Sequence, residues 1–275
     1  MLAAIVKRHV SKLKSVIVIP ARYGSSRFPG KPLKLIHGKS LLERVWSIAM
    51  LIKGIDGIYI TTDDTRIEAH AVNFSAKVIM TEACNNGTER VFRSISALPF
   101  KPSIILNLQG DAVLTPPWVI QSVLDAILAD PHLEVVTPAT QITKYEYLAM
   151  QAGKLTGEVG GTMVVCDKMH NALYFSKSMI PYLRSECNDV LPLYRHIGLY
   201  AYRYTALKKY VDLGLAPLEK LEGLEQLRVL ENGIPIRVVF VDYRGRTHAS
   251  IDSLDDIKRV EAIITKEGEL ISCSA

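Results

Sequence analysis

Residues 16–33 read VIVIPARYGSSRFPGKPL, and this stretch decides the fold. The apolar run Val16–Ile19 stops at Pro20, and a polar segment follows that carries glycine and the cations Arg22, Arg27 and Lys31. A short continuous apolar run bounded by a turn signal reads as a buried strand. It delivers a loop of backbone N–H groups and fixed positive charge to one sheet edge, an arrangement suited to a polyphosphate. An ordinary solvated basic turn is the plainer alternative.

Strand and helix signals then alternate. Ser40 is placed to cap a helix over 41–51, where Leu41, Leu42, Val45, Ile48 and Ala49 share one face. Strands are expected at 58–60, 77–80 and 103–108, and helices at 66–74, from 86 to 97, and from Pro116-Pro117 to 128. Repeated βαβ units predict an α/β fold of three layers, a mostly parallel mixed sheet with helices on both faces. Polar residues collect where the strands end, at 22–31, 61–64 and 109–111, and open α/β sheets bind ligands along that edge. After residue 134 the pattern loosens. Strands are expected at 135–139, 161–166, 172–175, 197–202 and 236–241, with irregular chain between the earlier ones. Helices return at 205–212, 217–231 and 254–265, the last capped by Ser253.

Composition narrows the function classes. The 275 residues are 48% hydrophobic and 22% charged, as in a soluble globular chain. The net charge of +5 comes partly from Lys7, Arg8, Lys12 and Lys14, a basic lead-in ahead of one domain spanning 15–275. No aromatic residues interleave a basic stripe, so no nucleic-acid partner is expected. No apolar run reaches membrane-spanning length. Cys84, Cys166, Cys187 and Cys273 are scattered without a C-x-x-C pair, which fits reduced thiols in a cytoplasm.

Asp111 follows an apolar strand and Gly110, and Asp252 stands between a late strand and a helix. Two carboxylates at neighbouring strand ends could hold Mg²⁺, a hard cation that takes few carboxylates alongside phosphate oxygens. A turn role for Asp111 and a capping role near Asp252 are the plainer readings. Residues 87–90 could present a helix start to a base or phosphate, or simply cap with Arg90 solvated. A glycine fingerprint for nicotinamide nucleotides is missing.

Several blocks in order resemble the CMP-sugar synthetases, most closely the 3-deoxy-manno-octulosonate (Kdo) cytidylyltransferase family. They are VIVIPARYGSSRFPGKPL, TTDD (61–64), NGTER (86–90), NLQGD (107–111), ALYFSK (172–177) with Ile180-Pro181, RHIGLYAYR (195–203) and PLEKLEGLEQLRVLENG (217–233). The resemblance implies the reaction CTP + Kdo → CMP-Kdo + diphosphate, serving lipopolysaccharide or capsule synthesis, in a homodimer whose interface lies in the excursion after residue 139. It implies that Arg22, Ser25, Arg27 and Lys31 hold the triphosphate. Groups near Ala21, Thr88 and Gln109 would contact cytosine, ribose or sugar. Asp111 and Asp252 would bind Mg²⁺. Gln109, Lys177, Arg184, His196, Tyr200 and Glu225 would line the pocket for an acidic eight-carbon sugar. The catalytic set would be Arg22, Lys31, Asp111 and Asp252. Departures from the pattern fall at Ala112-Val113, where the family has Glu-Pro, at Met163, where it has a lysine, at Lys177, where it has an arginine, and at Ser250-Ile251. They leave room for another acidic sugar, a sialic acid or an amino-Kdo, or for a nucleotide-binding paralogue without turnover.

Overall fold

The computed structural model describes residues 13–24, 28–155, 160–184, 191–251 and 253–271. Ser25, Arg27, Cys187, Asp252 and Cys273, all singled out above, lie outside the described residues, as does most of the basic lead-in.

The chain opens with β1 (Ser15–Pro20), all six residues of which are buried. The polar loop follows and closes on Gly30, at φ +70°, whose N–H donates to the Tyr23 carbonyl at 2.9 Å. A Cβ at Gly30 would sit 3.2 Å from the Tyr23 ring, so both the backbone angle and the close approach call for glycine. A 3-10 turn (Lys31–Leu33) with Pro32 buried then aims Lys31. Next comes the hairpin β2 (Leu35–Ile36) and β3 (Lys39–Ser40), turned at His37-Gly38 with φ 45° and 76°. Positive φ at both turn positions matches the twist of paired strands.

Helix α1 (Leu41–Ala49) starts at Ser40, whose hydroxyl accepts from the Glu43 N–H at 3.0 Å. The alternation continues through β4 (Gly57–Thr62), α2 (Thr65–Asn73), β5 (Lys77–Met80), α3 (Gly87–Ser94), β6 (Ile104–Leu108), α4 (Pro117–Ala129) and β7 (Val135–Gln141). Asp64 caps α2 and Asn86 caps α3.

The stretch after β7, expected to be irregular, holds α5 (Lys144–Leu155). Only Tyr147 of this helix is fully buried, so it lacks the broad apolar stripe that periodicity detects. Then follow β8 (Met163–Cys166), β9 (Ala172–Ser176), β10 (Tyr194–His196) and β11 (Leu199–Arg203). The strand expected at 197–202 is β11, starting two residues later, and β10 ahead of it was not expected. After α6 (Tyr204–Asp212), the expected helix 217–231 is two, α7 (Pro217–Glu222) and α8 (Gln226–Glu231). Gly223 ends α7 in the left-handed region, φ 61°. The chain finishes with β12 (Ile236–Val241) and α9 (Leu254–Glu267), capped by Ser253.

Ten strands form one mixed sheet in the order β5-β4-β1-β6-β11-β7-β10-β8-β9, with β12 also paired to β7. The β5-β4-β1-β6 part is parallel, β12 runs parallel to β7, and the pairings made by β8, β9, β10 and β11 are antiparallel. Alternate residues of β1 feed opposite faces. Ile17 and Ile19 join α1, α2, α4 and α9 on one side, while Val16 and Val18 join α3, α6 and α8 on the other. These are the expected three layers.

One expectation about strand order needs correcting. The strand before Asp111 is β6 and the late strand before Asp252 is β12, and they are not neighbours, because β11 and β7 lie between them. The connection 242–251 separates β12 from Asp252. It brings Ile251 back into the core beside α9, fully buried.

Candidate active site

The C-terminal ends of β1 and β6 meet at close quarters. A Cβ on Gly110 would lie 2.8 Å from the Pro20 carbonyl oxygen, and one on Gly87 would lie 3.3 Å from the Pro20 ring. Glycine at 110 therefore lets the strand end that carries Asp111 pass directly over the strand end that carries the basic loop. Lys31 Nζ donates to Asp111 Oδ2 at 2.7 Å, across 80 residues of sequence. The lysine side chain is 14% exposed and the carboxylate 38%, so the pair faces solvent on the carboxylate side. Arg22 stands exposed at the mouth and makes no ion pair among the described residues.

Beside this pair lies a polar cleft of about 230 Å³, walled by Ala21, Arg22, Asn86, Gly87, Arg90, Gln109 and Glu225 among others. The Ala21 N–H is already engaged, donating to Thr61 O at 2.9 Å. The Gln109 amide donates to Asn107 Oδ1 at 3.2 Å. Thr88 sits behind the wall, buried, with its hydroxyl accepting from Asn107 Nδ2 at 3.0 Å and donating to Glu225 Oε2 at 2.7 Å. The Tyr210 hydroxyl also reaches that oxygen at 3.4 Å and accepts from Asn86 Nδ2 at 3.2 Å. Burial raises the Glu225 carboxyl above its ordinary range, opposed by the hydrogen bond from Thr88. Glu225, expected at the sugar end, is joined to Thr88 in one network and lines this polar cleft.

Arg90 is buried, not solvated. Its guanidinium donates to Asp63 Oδ2 at 2.7 Å and Thr81 Oγ1 at 2.8 Å, presenting a preset cation at the cleft wall. Asp63 and Asn107 lie in the TTDD and NLQGD blocks without a role of their own assigned there, and Thr81 and Tyr210 were not singled out by the sequence.

The remaining residues spread along the same edge. His196 is buried, accepts or donates with Thr137 Oγ1 at 2.9 Å, and packs edge-on to Phe175 and tilted to Tyr200. Burial pushes its imidazole down to about 3, which keeps it neutral at ordinary pH. The Lys177 N–H donates to Glu222 Oε2 at 2.9 Å, and its ammonium lies beside Gly223. Arg184 is exposed. Among the described residues no three His, Cys, Asp or Glu side chains cluster as a metal centre. Asp111, an accessible hard oxygen donor beside a cationic loop, fits Mg²⁺ shared with phosphate oxygens.

Comparison with known proteins agrees with this architecture. The family model described as Cytidylyltransferase matches residues 16–238. The chain is 48% identical to a 3-deoxy-manno-octulosonate cytidylyltransferase of Maricaulis maris over 255 residues, 92% of this chain and 98% of that one. It is 39% identical to an 8-amino-3,8-dideoxy-manno-octulosonate cytidylyltransferase of Shewanella pealeana, over 90% of this chain and 98% of the relative. The structure of a CMP:2-keto-3-deoxy-manno-octonic acid synthetase complexed with CTP superposes with TM-score 0.81 at 36% identity, covering 92% of this chain and 99% of that one. The strand-end loop, the Gly110 crossing and these relatives lead to one conclusion: the chain belongs to the cytidylyltransferase family, in the group of the 3-deoxy-manno-octulosonate enzymes.

Proposed function

We propose that the protein transfers the cytidylyl group of CTP to 3-deoxy-manno-octulosonate and releases diphosphate. The observation that carries the reading is the Lys31–Asp111 pair at the crossing of β1 and β6, beside a polar cleft of about 230 Å³. The anomeric hydroxyl of the sugar attacks the α-phosphorus, the bond to the bridging oxygen breaks, diphosphate leaves, and the hydroxyl proton passes to solvent. Lys31, Arg22 and Arg27 set positive charge against the phosphates and the departing diphosphate. Asp111, with Asp252, would hold Mg²⁺, which when bound neutralises phosphate charge and polarises the reacting oxygens. Ala21, Thr88 and Gln109 define the nucleotide wall, directly or from behind. The family's sugar positions, Gln109, Lys177, Arg184, His196, Tyr200 and Glu225, bind and orient the acceptor. Catalysis in this reading is positioning and electrostatics within one domain, residues 15–275, without a covalent intermediate on the protein. The product would feed lipopolysaccharide or capsule synthesis in the cytoplasm.

The test is diphosphate release from CTP and Mg²⁺ with Kdo, 8-amino-Kdo and a sialic acid in parallel. Kdo should give the highest kcat/KM. Release with 8-amino-Kdo alone would move the assignment to the acceptor named for the Shewanella relatives. CTP binding without release for any sugar would leave a nucleotide-binding protein.

We also propose a homodimer formed through the excursion after β7. Tyr145, Leu155, Met169, Leu173 and Tyr182 are all more than half exposed there, an apolar concentration that suits a subunit contact. Light scattering should give about twice the 30.6 kDa chain mass. A monomer mass at micromolar concentration would remove the proposal.

A further inference from the structure

The edge of the sheet where β1 begins lies opposite the candidate active site, about 20 Å away along the six residues of the strand. Four parts of the chain converge there. Asp56, just ahead of β4, donates its N–H to the Ser15 carbonyl at 2.8 Å and accepts from Lys14 Nζ at 2.8 Å. Ser103 and Ile104, where β6 starts, donate their N–H groups to the Lys14 carbonyl at 2.8 and 3.1 Å. Tyr204, just past β11, donates its N–H to the Ser103 carbonyl at 3.0 Å. Residues 1–12 therefore join the fold at this edge, through Leu13 and Lys14.

The edge presents apolar and cationic side chains together. Leu13, Met50 and Leu51 are each more than 40% exposed. An open groove of about 540 Å³ is walled by Phe92, Leu98, Phe100, Lys101 and Tyr204 among others. Lys101 Nζ lies 4.6 Å from the centre of the Tyr204 ring, and Lys14 Nζ lies 5.5 Å from the centre of the Phe100 ring. Arg93, also at the groove, is paired with Glu82 and Glu89, and Lys14 is paired with Asp56. Lys53 and Lys101 are exposed and make no ion pair among the described residues. Apolar bodies with cationic tips are the side chains that settle at the headgroup level of a bilayer.

The basic lead-in carries the same pairing of properties in its sequence. Leu2, Ile5, Val6 and Val10 follow the spacing of one helical side, with Lys7 and Arg8 on the other and Lys12 at the border. That is the pattern of a segment that lies in a lipid interface, apolar side inward and cations toward anionic headgroups.

We propose that residues 1–12 and this edge together dock on an anionic lipid surface, leaving the cleft at the opposite edge open to solvent. Lys7, Arg8, Lys12, Lys53 and Lys101 supply the complementary charge, and two weak signals on one face give a firmer anchor than either alone. The inference stands apart from the reading of the reaction.

The test is flotation of the full chain with vesicles of phosphatidylcholine alone and of phosphatidylcholine mixed equally with phosphatidylglycerol. Binding is expected to the mixed vesicles only, and should weaken as salt is raised. Each cation near an anionic surface is worth a factor of roughly 5. Lys7→Gln with Arg8→Gln and Lys12→Gln should therefore weaken binding on the order of 100-fold, and Lys53→Gln with Lys101→Gln on the order of 10-fold. Both sets of changes lie away from the cleft and should leave turnover in solution unchanged. No binding to the mixed vesicles, equal binding to the neutral ones, or unchanged binding by either variant overturns the proposal. Slow amide exchange across residues 1–12 without vesicles overturns it as well, since the segment would then be seated on the protein itself.

Discussion

Asp111→Asn is expected to lower kcat by at least about 10²-fold while leaving the protein folded. Removing one charged group that stabilises a transition state commonly costs 10²–10³. Asparagine has nearly the shape of aspartate, keeps one acceptor for Lys31, and lacks the negative charge a cation needs. The pair is partly solvent-exposed, and exposed ion pairs contribute little to stability, so the melting temperature should stay within about 2 °C of wild type. A variant within tenfold of wild-type turnover at saturating Mg²⁺ would refute the metal assignment. Raising Mg²⁺ should not restore the rate, because the missing element is a ligand charge and not its occupancy.

Arg44→Ala is expected to have the largest effect on stability. Arg44 sits on α1 with its side chain 3% exposed. Its Nε donates to the Ile36 carbonyl at 2.8 Å, and its two terminal nitrogens bind both oxygens of Glu269 at 2.8 and 3.2 Å. One guanidinium thus ties the β2–β3 hairpin to the chain beyond α9, and His37 adds a second tie through its N–H to Glu261 at 3.0 Å. Breaking a buried pair by removing one partner costs about 3–5 kcal/mol, and the partial exposure of Glu269 places this case near the lower figure. That corresponds to a fall in Tm of roughly 6–10 °C. A midpoint within 2 °C of wild type would show that the clasp carries no strain of the fold. Glu269→Gln, which keeps the acceptor oxygen, should lose less than half as much.

The parallel half of the molecule was legible because each of its elements announces itself locally. Continuous apolar runs mark β1 and β6, and Ser40, Asn86 and Ser253 each precede an acidic residue three positions on, which is how helix starts are written. The second half was less so. Helix α5 shows almost no apolar face, and the split at Gly223 interrupts a periodicity that otherwise runs through from Pro217. The separation of β6 from β12 by two strands depends on which edge each later strand joins, a tertiary choice that no local pattern encodes. In the site, the basic loop and Asp111 could be read from their place at strand ends. The burial of Arg90 against Asp63 and the bonds that join Glu225 to Thr88 could not, since charge and hydroxyl groups gain their meaning only once burial takes water away.

The Lys31–Asp111 contact also bears on how substrates arrive. The two side chains pair as opposite charges. A nucleotide triphosphate seeking Lys31 and a divalent cation seeking Asp111 each meet a group already neutralised, and either one alone would strand the opposite charge. Arriving together as a chelate, they exchange ions with the pair at no net cost in charge. In the proposed reading the contact would therefore yield to the metal–nucleotide complex in preference to its parts. Free CTP and free metal should each bind more weakly than the sum of their own contacts would indicate.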